Sequence, residues 1–150
     1  MKNTILILED NSERTEVMKQ WLQDRLYMFR HEFFDMPKPL IERLNAISAD
    51  VLVIALDHDL NDVVDNPADA TGMDVVEYLI QKSPAFPVLV HSTNTLAASR
   101  MVKKLKKNHW QVERVIPFDD TTWIGTEWLP ALRQLIESNY AERAIPQLSN

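Results

Sequence analysis

Residues 51–56, Val-Leu-Val-Ile-Ala-Leu, form an apolar run with no polar interruption. A strand with one wet face alternates apolar and polar side chains, whereas an unbroken, partly β-branched run of this length is expected of a strand covered on both faces. Such a strand needs helices packed on either side of its sheet, which directs the chain to an α/β architecture. The run ends abruptly in Asp57-His58-Asp59-Leu60. Ionisable groups therefore gather where a buried strand leaves the core.

The remaining chain repeats the arrangement. Thr4–Leu8 is a short apolar run ending in Glu9-Asp10, and Asn11 or Ser12 follows as a helix cap. Val17, Met18, Trp21, Leu22, Leu26 and Phe29 then recur at helical spacing. Residues 31–36 read as a brief second strand, and Pro39 fits the first turn of a second helix with Leu40, Ile41 and Leu44 inward. After the 50–56 strand comes a polar loop, with Asp62 near its start, and then a helix from Met73. Residues 86–92 form a fourth strand, and residues 94–109 a helix with Ala98, Met101, Val102 and Leu105 inward. Residues 110–118 form a fifth strand, and the last helix is expected to open at Thr126, with Pro130 in its first turn. Five strand–helix units give a doubly wound parallel sheet. One domain is expected over residues 1–150, with its core at about 4–138 and a tail at about 139–150.

Composition narrows the chemistry. The chain has no cysteine, which removes disulfides, thiolate zinc sites and cysteine nucleophiles. Its two glycines, Gly72 and Gly125, are too few for a Walker loop or a dinucleotide-binding turn. A net charge of −6 argues against a broad nucleic-acid surface. No apolar run reaches the ~20 residues of a membrane span, and the first hydrophobic stretch is too short for a signal peptide, so a cytoplasmic location is expected.

In an open parallel sheet, ligands bind beyond the carboxyl ends of the strands. Those ends carry Glu9 and Asp10; Asp57, His58 and Asp59; His91, Ser92, Thr93 and Asn94; and Asp119 and Asp120. Carboxylates converging from separate strands repel one another unless a cation lies between them, and oxygen ligands without cysteine suit Mg²⁺ or Mn²⁺. The competing reading has Glu9 and Asp10 simply favouring the first helix dipole. If both strands stay regular to their ends, alternation puts Asp57 and Ser92 on one face and His58 and His91 on the other. The two imidazoles then flank one ligand as acid and base, or else are satisfied histidines under a loop. Ser92, Thr93 and Asn94 precede a helix and form either an anion cradle or its caps. Arg100, Lys103, Lys104, Lys106 and Lys107 make a basic helix face, solvated or meeting an anionic partner. Trp123 and Trp128, near the exit of strand 5, are candidates for lining a pocket.

The motifs ILILEDN, DVLVIALD, TGMDVVEYL, FPVLVHS and VIPFDD fall in the order and spacing of a response-regulator receiver domain, which the chain resembles over roughly residues 4 to 138. That resemblance implies a flavodoxin-like (βα)5 fold with strand order 2-1-3-4-5. It implies Glu9, Asp10 and Asp57 as the Mg²⁺-binding acids, Asp59 as a backbone contributor to the metal, Asp57 as the phosphoacceptor and Ser92 as the switch hydroxyl. Ile116 stands where receivers carry a phosphoryl-contacting lysine, and His58 and His91 are not receiver features. LDHDL and VHSTN are instead similar to the divergent cyclic-phosphate-processing receivers.

Two functions from different classes follow. In one, the domain acts on a phosphoester or cyclic phosphate. A divalent cation sits at Glu9, Asp10, Asp57 and Asp59, His58 and His91 serve as acid and base, and Ser92, Thr93 and Asn94 bind the phosphate. In the other, the chain is a receiver phosphorylated on Asp57, or a degenerate receiver used as an interaction module. The expected partners are a small phosphorylated ligand or a nucleotide or RNA cyclic phosphate, or a partner protein if the role is signalling. Neither a membrane nor a DNA-binding domain is expected.

Overall fold

The computed structural model describes residues 2–60 and 70–148, with side chains described as far as residue 139. Asp62 and most of the polar loop lie outside the described residues, as do the side chains of nearly all the expected tail. The apolar runs form β1 (Thr4–Leu8), β2 (Arg30–Phe34), β3 (Val51–Leu56), β4 (Val88–His91) and β5 (Val112–Val115). Between them run α1 (Ser12–Arg25), α2 (Pro37–Ile47), α3 (Gly72–Leu79) and α4 (Thr95–Lys107), and α5 (Leu129–Leu148) follows β5. All strand pairs are parallel, in the order β2-β1-β3-β4-β5. This is the doubly wound, flavodoxin-like order expected.

The sheet separates two cores. Leu6, Leu8, Ile54, Leu56, Val88 and Val90 face α2, α3 and α4, while Ile5, Ile7, Val53, Ala55 and Leu89 face α1 and α5. Every residue of β1, β3 and β4 is buried, which is why β3 reads as an uninterrupted apolar run. Each large aliphatic side chain in such a sheet contributes about 1.5–3 kcal/mol through burial.

Several boundaries shift from the sequence expectation, with β2 and β4 running Arg30–Phe34 and Val88–His91 rather than 31–36 and 86–92. Pro39 lies in the first turn of α2 as expected; the helix itself begins at Pro37, where Met36, preceding a proline, is held extended at φ −138° and ψ 149°. Strand β5 is limited to Val112–Val115, and Trp110 instead turns into the first core, packing edge-to-face on Phe86 at 5.2 Å. The last helix does not open at Thr126. Residues Ile124–Trp128 form a wide π turn that leads into α5, with the Leu129 N–H bonded to the Ile124 carbonyl. Pro130 has no N–H to give the preceding turn and crowds the carbonyl four residues earlier, and a wider turn accommodates both effects.

Gly72 fixes the start of α3 against the end of β3. Its N–H donates to the His58 carbonyl at 2.9 Å, and a Cβ placed on it would lie 1.9 Å from the Asp57 carbonyl oxygen. Only a residue without a side chain permits that approach. Thr71 completes the helix start with a capping box to Asp74.

Candidate functional site

Glu9 and Asp57 continue the sheet by one residue beyond their strands. The Glu9 N–H donates to the Phe34 carbonyl at 2.9 Å, and the Asp57 N–H to the Leu8 carbonyl at 3.0 Å. Both side chains are therefore carried by the rigid ladder and are buried. His91, at the end of β4, is buried beside them, and ligand atoms of Glu9, Asp57 and His91 all lie within 4.8 Å of one another.

This grouping departs from the pairing expected by alternation. Leu56 pairs with Val90 in the β3–β4 ladder, so one further step sets Asp57 opposite His91 and His58 opposite Ser92. Asp57 and His91 thus continue the face of Ala55 and Leu89, toward α1 and α5. The two histidine rings are turned to different neighbours.

The His91 ring is held at both nitrogens. Trp128 donates its indole N–H to Nδ1 at 3.2 Å, and Nε2 lies 3.2 Å from Glu9 Oε1. An indole N–H only donates, so Nδ1 is the acceptor and the ring hydrogen resides on Nε2, directed at Glu9. Trp123 and Trp128 wall the ring at centroid distances of 5.7 and 6.1 Å. The two tryptophans do line the site, as buried walls rather than as an open pocket.

Arg14, in sequence an ordinary polar helix position, completes this side. Asn11 caps α1 by accepting the Arg14 N–H at 2.9 Å, placing Arg14 in the first turn. From there its guanidinium lies 3.7 Å from Glu9 and 3.8 Å from Asp57, over the Trp123 ring at 5.5 Å.

The two buried carboxyls divide their protonation unequally. Burial, then the negative charge of Glu9, pushes Asp57 up to about 9, against opposition from the His58 N–H and Arg14. Burial also acts to raise Glu9, but the bond and charge of His91, the Asn11 N–H and Arg14 outweigh it and leave Glu9 below the ordinary range. Asp57 is the proton holder of the pair.

The other expected residues form a second, more open cluster. The His58 N–H donates to Asp57 Oδ1 at 2.7 Å, while the His58 ring meets Asp59 Oδ1 through Nδ1 at 2.5 Å. Asn94 donates its amide to the same Asp59 oxygen at 3.3 Å and caps α4 by accepting the Ala97 N–H at 3.1 Å. Ser92 is buried and its hydroxyl accepts the Asn94 N–H at 3.1 Å, so one N–H of the expected anion cradle is already taken up by the cradle itself. Thr93 is exposed. Asp10 is half-buried and lines an adjoining open groove with Glu9, Thr15, Lys19 and Asp35. Ile116 is 56% exposed, and on the basic face Lys104 pairs with Glu77. Among the described residues no helix is long and apolar enough to cross a membrane.

Comparison with known proteins places this site in context. The chain is similar in fold to the response regulator domain of Thermotoga maritima CheB, at 14% identity over 91% of this chain and 98% of that one, with a TM-score of 0.66. It is similar also to the phosphorylated cyanobacterial phytochrome response regulator RcpA, at 16% identity over 91% and 88% of the two chains, with a TM-score of 0.61. A third structure, the P1 domain of CheA3 in complex with CheY6 from R. sphaeroides, matches at 17% identity over 90% and 97%, with a TM-score of 0.59. At these identities the likeness is one of fold. No curated protein matches significantly. The sequence model of the cyclic-phosphate processing receiver domain matches residues 5–107, which includes every strand-end acid and histidine discussed except those after β5. With two thirds of its length matched, the chain belongs to the cyclic-phosphate processing receiver domain family.

Proposed function

We propose that the domain binds a divalent cation and a phosphoryl group at the ends of β1, β3 and β4, and that it acts on a phosphoester or cyclic phosphate. The observation that carries this reading is the burial of Glu9 and Asp57 side by side beneath His91. Two buried carboxyls in contact, one of them driven to hold a proton, are a charge arrangement that a cation relieves. The donors offered are carboxylate oxygens, since both His91 nitrogens already have partners, and this set fits Mg²⁺ or Mn²⁺. Glu9 and Asp57 would hold the ion from the sheet, with Asp10 and Asp59 beside them. A bound ion of this kind supplies charge neutralisation at phosphoryl oxygens and an acidified water.

The chain's own groups then divide the remaining work. His58, partly exposed and oriented by Asp59, is the acid–base residue. With its Nδ1 hydrogen directed at Asp59, Nε2 is the nitrogen that would accept a proton from water as the new P–O bond forms and return it to the departing oxygen as the ester P–O bond breaks. His91 acts as a positioning residue for Glu9. Asn94 steadies Asp59, and Ser92 and Thr93 lie at the phosphate side. The test is turnover with Mg²⁺ or Mn²⁺ on a panel of cyclic and linear nucleotides and RNA ends. His58→Ala is expected to lose nearly all of it, and turnover equal to that of the His58→Ala, His91→Ala double variant across the whole panel refutes the reading.

A second reading is favoured by the backbone at Asp57, whose Oδ1 is tied to the His58 N–H while Oδ2 is turned toward Arg14. Here Asp57 itself receives a phosphoryl group and the domain signals through a partner protein, as the complex of CheA3 with CheY6 illustrates for that pair. Intact-mass measurement after acetyl phosphate treatment separates the two, since a stable adduct on Asp57 with no turnover supports the switch.

A further inference from the structure

A phosphoryl dianion bound at this site would lie beside two buried acids, Glu9 and Asp57, and needs a cationic contact from the protein. The end of β5 provides none: Ile116 is apolar and exposed, and Arg114 donates to the Thr95 carbonyl. Lys19 lies over Phe33, on the groove side of α1. Among the described residues, Arg14 is the cation that reaches both acids.

Three features of its placement go beyond a counter-ion. First, its separations of 3.7 and 3.8 Å from Glu9 and Asp57 exceed hydrogen-bond length, so the guanidinium faces the acids without its N–H donors being taken up by them. Second, it lies over Trp123 at 5.5 Å, and Trp123 is itself immobilised by its indole bond to the Asp120 carbonyl at 3.0 Å. A guanidinium held against an aromatic face keeps its edge, where the donors are, free to meet a planar pair of oxygens. Third, the side chain is 23% exposed, in contact with solvent beside buried acids. A fork with unengaged donors, on a fixed platform at the mouth of an acidic site, matches two oxygens of a phosphate group.

We propose that Arg14 is the anion-contacting residue of this site, gripping the phosphoryl oxygens of the ligand through its guanidinium edge while Trp123 supports its face. The proposal rests on the metal and phosphoryl reading above and assigns that site a cation from α1, outside the strand ends.

Calorimetric titration tests it, with Mg²⁺ alone and then inorganic phosphate in saturating Mg²⁺, on the unaltered protein, Arg14→Gln and Arg14→Lys. Removing a charge-assisted pair is expected to weaken phosphate at least about tenfold in Arg14→Gln, with partial recovery in Arg14→Lys, which keeps the charge and loses the fork. Mg²⁺ affinity is expected to hold or improve in Arg14→Gln, where a positive charge leaves the acids, and to hold in Arg14→Lys, which keeps that charge. Phosphate binding equally tight in Arg14→Gln overturns the proposal, leaves Arg14 a counter-ion and spares the site reading. An unaltered protein that takes up Mg²⁺ but no phosphate, or neither, overturns both. Arg14→Lys, closest to the native side chain, keeps the comparison decisive if Arg14→Gln folds poorly, because retained fork-strength binding in it alone also refutes the proposal.

Discussion

His91 and His58 stand at the ends of adjacent strands and are used in opposite ways. His91 has no exposed surface and both nitrogens are engaged, by Trp128 on one side and Glu9 on the other. His58 keeps 17% of its side chain exposed and is engaged through Nδ1 alone, by an Asp59 that is itself 39% exposed. One ring is part of the core, and the other borders solvent. A proton carrier must reach substrate, so in the proposed phosphoester reaction accessibility favours His58 for the chemistry and leaves His91 to orient the acid pair. Stability effects should therefore concentrate on the His91 side, and functional effects without stability effects on the His58 side.

The largest expected effect reaches both regions at once. Gly72→Ala forces a Cβ to within 1.9 Å of the Asp57 carbonyl, so α3 or the Asp57–His58 backbone must shift. Overpacking against backbone is expected to cost about 3 kcal/mol or more, read by chemical denaturation. If the variant is as stable as the parent, the close approach does not anchor the site.

Next, Trp128→Phe keeps a ring in place but removes the N–H that fixes His91 Nδ1. Leaving a buried acceptor without its donor is expected to cost about 1–3 kcal/mol. Nitrogen chemical shifts of His91 give a second readout, because Nδ1 is then no longer obliged to be the acceptor. An unchanged tautomer with unchanged stability would break the assignment of Trp128 as the residue that orients the ring.

The proton on Asp57 predicts an inverted pH dependence for the metal-free protein. Below its ordinary value of 3.8 this acid is protonated whether the chain is folded or not. From there to about 9 the unfolded chain releases the proton while the folded chain keeps it, so stability falls as pH rises through that window. The slope contributed is at most about 1.4 kcal/mol per pH unit. Glu9, held low, acts in the other direction only below its ordinary 4.5. Denaturation from pH 5 to 9 should show the slope in the parent and lose it in Asp57→Asn. Parallel curves would mean that Asp57 is ionised in the fold.

These contrasts also show where sequence reading succeeds. The apolar runs at 4–8 and 51–56 are legible because burial on both faces leaves no alternative pattern, and the acids at their ends follow from chain order. The face on which each acid lies is less legible. Whether Asp57 stands beside His91 or Ser92 depends on a ladder pairing Leu56 with Val90, and that register is set by the lengths and packing of the connections. Arg14 and Trp128 were harder still. Arg14 sits among polar residues of a helix and resembles any solvated position, and its partner Trp123 is more than a hundred residues away. Trp128 stands out in the sequence only as a tryptophan near a strand exit, and its bond to His91 depends on a π turn that no local pattern announces.

The smallest stability effect carries the sharpest functional distinction. Asp59→Asn removes the charge facing the His58 ring while keeping the shape that Asn94 contacts. The pair is partly exposed, and screened pairs of this kind contribute about 0–1 kcal/mol, so melting should barely move. Its work is orientation: without the carboxylate, Nδ1 loses its strongest acceptor and Nε2 is no longer the favoured basic nitrogen. In the phosphoesterase reading, turnover should fall by about 10²-fold or more with KM little changed, which is the scale of general acid–base assistance. His91→Gln should do the reverse, losing stability first and activity in step with it. If Asp59→Asn and His91→Gln instead alter stability and turnover in the same proportion, the two histidines are not divided between chemistry and core, and the exposed ring loses its claim to the proton.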